Sequence, residues 1–259
     1  MKYKDQLNRE IYIPTLPQRI ISLVPSQTEL LYDLGLKDRI VGQTIFCVHP
    51  SEYFKSSTKI GGTKKLNLEK IASLKPDLII ANKEENQKDQ IEELAKDFPV
   101  WISDVNTLED ALSMIKSLGE ITETQNKVSK IISQINQSRN DFLKQSKPKQ
   151  SVIYLIWNNP YIAVGTDTFI NTMLTEAGFE NAINQSRYPE ITLDEIQQIN
   201  PDWVFLSSEP FPFKDEHKLE MDKLLEANKS VLVDGEMFSW YGSRLVKAYD
   251  YFKILRRIS

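Results

Sequence analysis

The sequence is poor in the residue types from which most catalytic and metal sites are built. It has one cysteine, Cys47, and two histidines, His49 and His217, in 259 residues. One cysteine excludes an internal disulfide and leaves the redox compartment open. Cys47 and His49 stand two apart in FCVHP and point the same way if that segment is extended. A zinc site needs three or four ligands, and His217 lies far off in a polar stretch, so a Cys/His zinc centre is a weak expectation. Glycine is scarce as well, at 9 residues where average usage of about 7% gives about 18. No GxGxxG, P-loop, GxSxG or HExxH is present, which argues against nucleotide-dependent enzymes and the hydrolases those motifs mark. No segment approaches the ~20 apolar residues of a membrane span. Met1 to Arg19 has neither an apolar run of about 7 to 15 residues nor a small-residue cleavage site, so no secretory leader is expected within it. Taken as it stands the chain reads as cytoplasmic; behind a leader it reads as periplasmic or membrane-anchored.

Excess positive charge is also missing. Lys and Arg total 32 against 36 Asp and Glu, a net charge of −4, with the lysines scattered among acids. That distribution excludes a basic nucleic-acid surface. With 41% hydrophobic and 26% charged residues, the chain has the composition of a water-soluble globular protein.

What is present is alternation. RIISLV reads as a buried strand ended by Pro25, and SQTELLYDLG as a helix closed by Gly35, with Ser26 and Glu29 spaced as a capping box. DRIVG, KPDLIIAN and FPVWIS continue as strands, with LNLEKIASL and KDQIEELAKDF as helices. Strand and helix in turn predict α/β architecture with parallel sheets covered on both faces. Thr122 to Gln145 is one polar helical stretch without Gly or Pro, striped by Val128, Ile131, Ile132, Ile135, Phe142 and Leu143. It predicts a connecting helix, ended by KPKQ at Lys147 to Gln150. The division expected is a lobe over 1–121, a connector over 122–147 and a second lobe over 148–259.

An internal repeat supports two related lobes. NLEKIASLKPDLIIANKE from Asn67 lies without gaps on TLDEIQQINPDWVFLSSE from Thr192, with Leu68/Leu193, Ile71/Ile196, Pro76/Pro201, Asp77/Asp202 and Glu84/Glu209 identical. LLYDLGLKDRI from Leu30 echoes MLTEAGFENAI from Met173. Two matches in the same order on either side of the connector point to a duplicated unit. Open parallel sheets bind ligands beyond the carboxyl ends of their strands, so two facing lobes are expected to hold a ligand in a cleft lined by strand-end loops.

RIISLVPSQTELLYDLGL, IGGTKKLNLEKIASLKPDLIIANKEEN and SRYPEITLDEIQQINPDWVFLSS together resemble the helical-backbone substrate-binding proteins of ABC importers for vitamin B12, ferric siderophores and haem, most closely the cobalamin-binding members. The resemblance implies two Rossmann-like lobes joined by one long helix. It implies a cobalamin-like corrinoid or iron chelate as ligand, no resident cofactor, and a monomer that docks on an ABC permease. In such proteins acids at the positions of Glu69 and Asp194 meet permease arginines. Phe46 stands where the B12 proteins have a cleft tyrosine, whereas Thr63 and Asn82 stand where they have tryptophans. Trp157 matches an aromatic position of the second lobe, and Phe238 and Trp240 lie in EMFSWYGS, a loop the family uses to line the cleft.

The residues themselves supply further candidates. The helix beginning near Ser26 aims N–H groups at a carboxylate, phosphate or amide oxygen, or is simply capped. Lys64 in the GGTK turn offers a cation. Glu84, in ANKEEN, and its repeat mate Glu209 end matching strands, where they contact a ligand or solvate the next turn. His49 coordinates the ligand's metal or packs in the cleft wall. Trp157, Tyr188, Trp240 and Tyr241 offer flat faces to a macrocycle, or serve as core. The reading is capture without covalent chemistry, the alternative a cytoplasmic corrinoid carrier or an enzyme handling the metal of a tetrapyrrole.

Overall fold

Aliphatic runs punctuated by proline and glycine become buried strands, most of them followed by a helix. The structure, a computed structural model, describes residues 1–144, 148–225, 227 and 229–258. The chain divides into two units. Unit 1 comprises Met1–Val105, Glu109–Ile135 and Tyr241–Arg244; unit 2 comprises Asn106–Leu108, Asn136–Trp240 and Leu245–Ser259.

Unit 1 opens with a two-stranded antiparallel ribbon, β1 (Lys2–Lys4) and β2 (Glu10–Tyr12). There follow β3 (Ile20–Ser22), α1 (Pro25–Asp33), β4 (Ile40–Gln43), α2 (Ser51–Phe54), α3 (Leu68–Ser73), β5 (Leu78–Asn82), α4 (Lys88–Leu94), β6 (Val100–Ser103) and α5 (Leu108–Thr122). The sheet has the order β4-β3-β5-β6, all parallel. β3, β5 and β6 are buried along their whole length, as strands covered on both faces must be. α5 buries Ala111, Met114, Ile115, Leu118 and Ile121, the spacing of one helical face.

Two expectations fail here. α1 does not use Ser26 and Glu29 as a capping box: the helix starts at Pro25, a residue suited to the first helical position, and its N-cap Val24 has no side-chain bond to give. Glu29 is committed elsewhere, in a buried bidentate pair with Arg244 at 2.9 and 2.7 Å. The connecting helix α6 runs Gln125–Leu143 and does not begin at Thr122, because Glu123 takes a left-handed φ of 56° that ends α5. The expected end at Gln145 to Lys147 lies outside the described residues. α6 starts in unit 1 and finishes in unit 2. Val128, Ile131, Ile135 and Phe142 are buried as the stripe predicts, and Leu143 is exposed.

Unit 2 contains β7 (Gln150–Trp157), β8 (Tyr161–Ala163), α7 (Phe169–Glu176), β9 (Phe179–Asn181), β10 (Glu190–Ile191), α8 (Leu193–Ile199), β11 (Trp203–Ser207), α9 (Asp215–Leu224), β12 (Ser230–Val233), α10 (Glu236–Ser239) and α11 (Leu245–Ile258). Its sheet is mixed, not parallel throughout. β9, β7, β11 and β12 are parallel neighbours, while β8 lies antiparallel to β7 and to β10. The cause is the connection: only Asn158, Asn159 and Pro160 separate β7 from β8, and a parallel crossover needs a dozen residues or more.

Without that hairpin the two sheets share one topology. β4-β3-β5-β6 and β9-β7-β11-β12 both follow the chain order second, first, third, fourth. Matching glycines close the matching helices α1 and α7, Gly35 at φ 74° and Gly178 at φ 80°. Lys75 and Asn200, at the ends of α3 and α8, both have φ 48° ahead of Pro76 and Pro201.

Candidate functional site

In a sheet of this order the first and third strands lead to loops that diverge, and the crevice outside their carboxyl ends is where open α/β folds bind ligands. In unit 1 those strands are β3 and β5; in unit 2 they are β7 and β11.

At the unit 1 face, the loop after β4 carries Ile45, Phe46 and Val48, all exposed, with Phe46 at 54%. The Phe46 ring lies on Gly62, where a Cβ would sit 3.1 Å from the ring edge, a tight contact. Cys47 points the other way. It is fully buried, its Sγ 3.1 Å from the hydroxyls of Thr28 and Thr44, and burial pushes its thiol up despite those hydrogen bonds. The segment opens with a turn, the Cys47 N–H donating to the Thr44 carbonyl. His49 is half-buried.

Lys64 is exposed and its ammonium donates to the Glu84 carbonyl, bringing the GGTK turn to the end of β5. Asn86 and Gln90 add bonds to the carbonyls of Thr63 and Lys64 at 3.1 and 3.0 Å. Glu84 is exposed on a turn made by Asn82, whose Oδ1 accepts the N–H groups of Glu84 and Glu85 while its amide donates to Ser103. Asn82 is thus internal, and Thr63 is buried. Lys83 pairs with Asp104 at 2.6 Å. Ser26 is only 4% exposed, because Gly242 packs onto its carbonyl and Arg244 onto Glu29; the first turn of α1 is covered instead of open to a ligand.

The unit 2 face is aromatic. Trp157 ends β7 and is 41% exposed, with its ring edge-to-face on Phe211 at 5.8 Å. Phe211 in turn meets Phe213 and His217 at 4.8 and 5.2 Å. Tyr188 is half-buried beneath the Arg187 guanidinium, 5.4 Å from its ring. Glu209, partly buried after β11, accepts from the Trp240 indole N–H at 3.1 Å and from the Ser239 hydroxyl. Burial pushes its carboxyl above the ordinary value, Glu236 and Asp234 add to the push, and the Ser239 and Trp240 bonds oppose it.

Three aromatics expected to offer a face to the ligand are core. Phe238 is fully buried against Tyr154, Phe205 and Phe252 at 5.2, 6.4 and 4.9 Å, so it lines no ligand surface. Trp240 is 7% exposed with its N–H spent on Glu209, and Tyr241 is buried too; neither offers an open face. The sequence reading missed Phe211, Phe213 and His217. The signal was the alternation in PFPF, which sets two rings on one side of an extended loop. His217 accepts the Lys214 N–H on Nδ1 at 3.0 Å. Among the described residues no three His, Cys, Asp or Glu side chains gather as a metal site.

Glu69 and Asp194 are exposed at the second positions of α3 and α8. The caps of those helices come from other residues: Asn67 on the Lys70 N–H, and Thr192 with Glu195.

A profile of the family described as "Periplasmic binding protein" matches residues 20–231. An uncharacterized ABC transporter substrate-binding lipoprotein of Bacillus subtilis (strain 168) is 32% identical over 212 residues, 77% of this chain and 67% of that protein. The vitamin B12-binding protein of Vibrio campbellii (strain ATCC BAA-1116) is 28% identical over 196 residues, 73% and 70% of the two chains. The crystal structure of the periplasmic vitamin B12 binding protein of Vibrio cholerae superposes with a TM-score of 0.78 over 94% of this chain and 100% of that one, at 21% identity, and shares the fold.

Proposed function

The chain belongs to the periplasmic binding protein family, and we propose that it captures a corrinoid of the vitamin B12 type as the substrate-binding component of an ABC importer. The observation that carries the ligand is Trp157, a large flat apolar face left open at the crevice of β7 and β11 and braced from behind by Phe211. The names of the relatives support both ligand and role. On unit 1, Phe46 is an exposed ring in the loop after β4.

The work is capture, not covalent chemistry. The groups best suited to reaction are spoken for: Cys47 is enclosed by two threonines, and Glu209 is held by Ser239 and Trp240. Each unit offers polar candidates of its own for ligand contact: Lys64, Glu84 and His49 on unit 1, and Tyr188 on unit 2. Glu69 and Asp194 face a permease, since neither carboxylate is needed by its own helix cap. Such a protein works outside the cytoplasmic membrane, free or tethered; among the described residues no helix is long and apolar enough to cross one.

A ferric chelate is the second reading, favoured by the unit 1 face, where Thr63 and Asn82 are buried and Lys64, Lys83 and Glu84 are exposed. Calorimetric titration with aquocobalamin decides. One ligand per chain with heat and tryptophan quenching supports the corrinoid; no response to any corrinoid beside tight binding of a ferric chelate replaces it.

A further inference from the structure

Trp157 is aimed by a defect in its own strand. The pairing of β7 with β8 slips between Leu155 and Trp157, a bulge that adds Ile156 and redirects the residue after it. The Ile156 carbonyl accepts the Phe211 N–H at 3.2 Å, so the bulge also fixes the loop that follows β11. Phe211 then stands edge-on to Trp157 at 64°. Behind it, Phe213 is buried, and His217 meets Phe211 and Phe213 at 83° and 84°. Because its Nδ1 accepts the Lys214 N–H, His217 enters as an anchored ring edge at the start of α9.

We infer that Phe211 is a specificity-determining positioning residue, which holds the Trp157 ring ready for the face of a planar conjugated macrocycle. A T-shaped neighbour fixes the plane of an aromatic ring, and a ring fixed before binding loses less freedom when the ligand arrives. The benefit goes to a ligand with a flat delocalised face. A globular ferric trihydroxamate has no such face and gains little from Trp157 held at one angle. The inference rests on the capture reading above and adds a residue and a ligand shape to it.

The test compares wild type with Phe211→Leu, Phe211→Met and Phe211→Tyr, using cyanocobalamin, haemin and ferric desferrioxamine as probes and reading affinity, dissociation rate and melting temperature. Leu and Met are expected to weaken macrocycle binding about three- to tenfold through faster dissociation, with Tyr restoring it and any trihydroxamate binding unchanged. Should Leu fail to fold, Met and Tyr still separate ring from bulk. Wild-type binding of a macrocycle with no change in the Leu or Met variant overturns this inference alone, as does equal weakening by Met and Tyr. A wild type that binds neither cyanocobalamin nor haemin overturns the corrinoid reading, and this inference with it.

Discussion

Asp77 and Asp202 hold the same place in the two units and do the same thing there. Asp77 accepts the backbone N–H groups of Gln18 and Arg19 at 2.7 and 2.8 Å, just ahead of β3. Asp202 accepts the N–H and hydroxyl of Ser151 at 2.7 and 2.9 Å, at the start of β7. Each carboxylate ties the first strand of its sheet to the turn before the third. Asp77→Ala and Asp202→Ala should each cost about 1 to 3 kcal/mol in urea denaturation, with ligand affinity of the folded protein unchanged. A loss of affinity at full stability would contradict this. The Ser151 bonds hold the Asp202 carboxyl below its ordinary value, so its contribution is present above that value and lost as pH falls through the lowered one.

The pairing of Asp77 with Asp202 was legible because the repeat can be read without gaps, and the duplicated unit it points to is matched by the shared order of the two sheets. Alternation also found the buried strands of unit 1, whose residues are apolar on both faces. The mixed sheet of unit 2 was not read from the alternation, although NNP between Trp157 and Tyr161 carries the signal of a short antiparallel connection. Ser26 and Phe238 were misjudged because burial is set by partners distant in sequence: Arg244 lies 215 residues from Glu29. Nothing local to either residue announces that pair. Trp157 and Trp240 look alike as isolated tryptophans, and only the Glu209 carboxylate waiting for an indole N–H separates the enclosed one from the open one.

That difference gives a contrast between variants. Trp157→Ala should weaken corrinoid binding at least about tenfold, about 1.4 kcal/mol, with little change in melting temperature. Phe238→Ala should cost about 3 to 5 kcal/mol of stability, as a large side chain removed from a packed core does. Paired titrations and denaturation curves check this. The reverse pattern, instability at Trp157 and lost affinity at Phe238, would exchange the two assignments.

Glu209 should make stability depend on pH. Its folded-state carboxyl is raised by burial, with Glu236 and Asp234 adding to the rise, so the native protein keeps a proton that the unfolded chain releases. The associated stability is complete below the ordinary glutamate value of about 4.3 and is lost as pH rises through the raised one. Glu209→Gln retains an acceptor for Ser239 and Trp240 and has no proton to lose. Relative to wild type it should therefore gain stability as pH rises above the ordinary glutamate value in urea titrations. A difference that stays flat or shrinks above that value would show Glu209 ionising normally.

Charge reversal at Glu69 and Asp194 should separate capture from delivery. Both carboxylates are exposed, and neither is its helix's cap. The double variant should bind ligand as wild type does and fail to associate with a cognate permease in a low-salt pull-down. Retained association would remove these acids from the docking surface.

Capture of a corrinoid without chemistry is tested most directly by equilibrium dialysis of the wild-type protein against an equimolar mixture of cyanocobalamin, haemin and a ferric trihydroxamate, with the retained ligand released and identified by mass spectrometry. One corrinoid per chain, recovered chemically unchanged, is the predicted result. Retention of the trihydroxamate alone, or recovery of a corrinoid altered in its metal or its ring, would contradict the account.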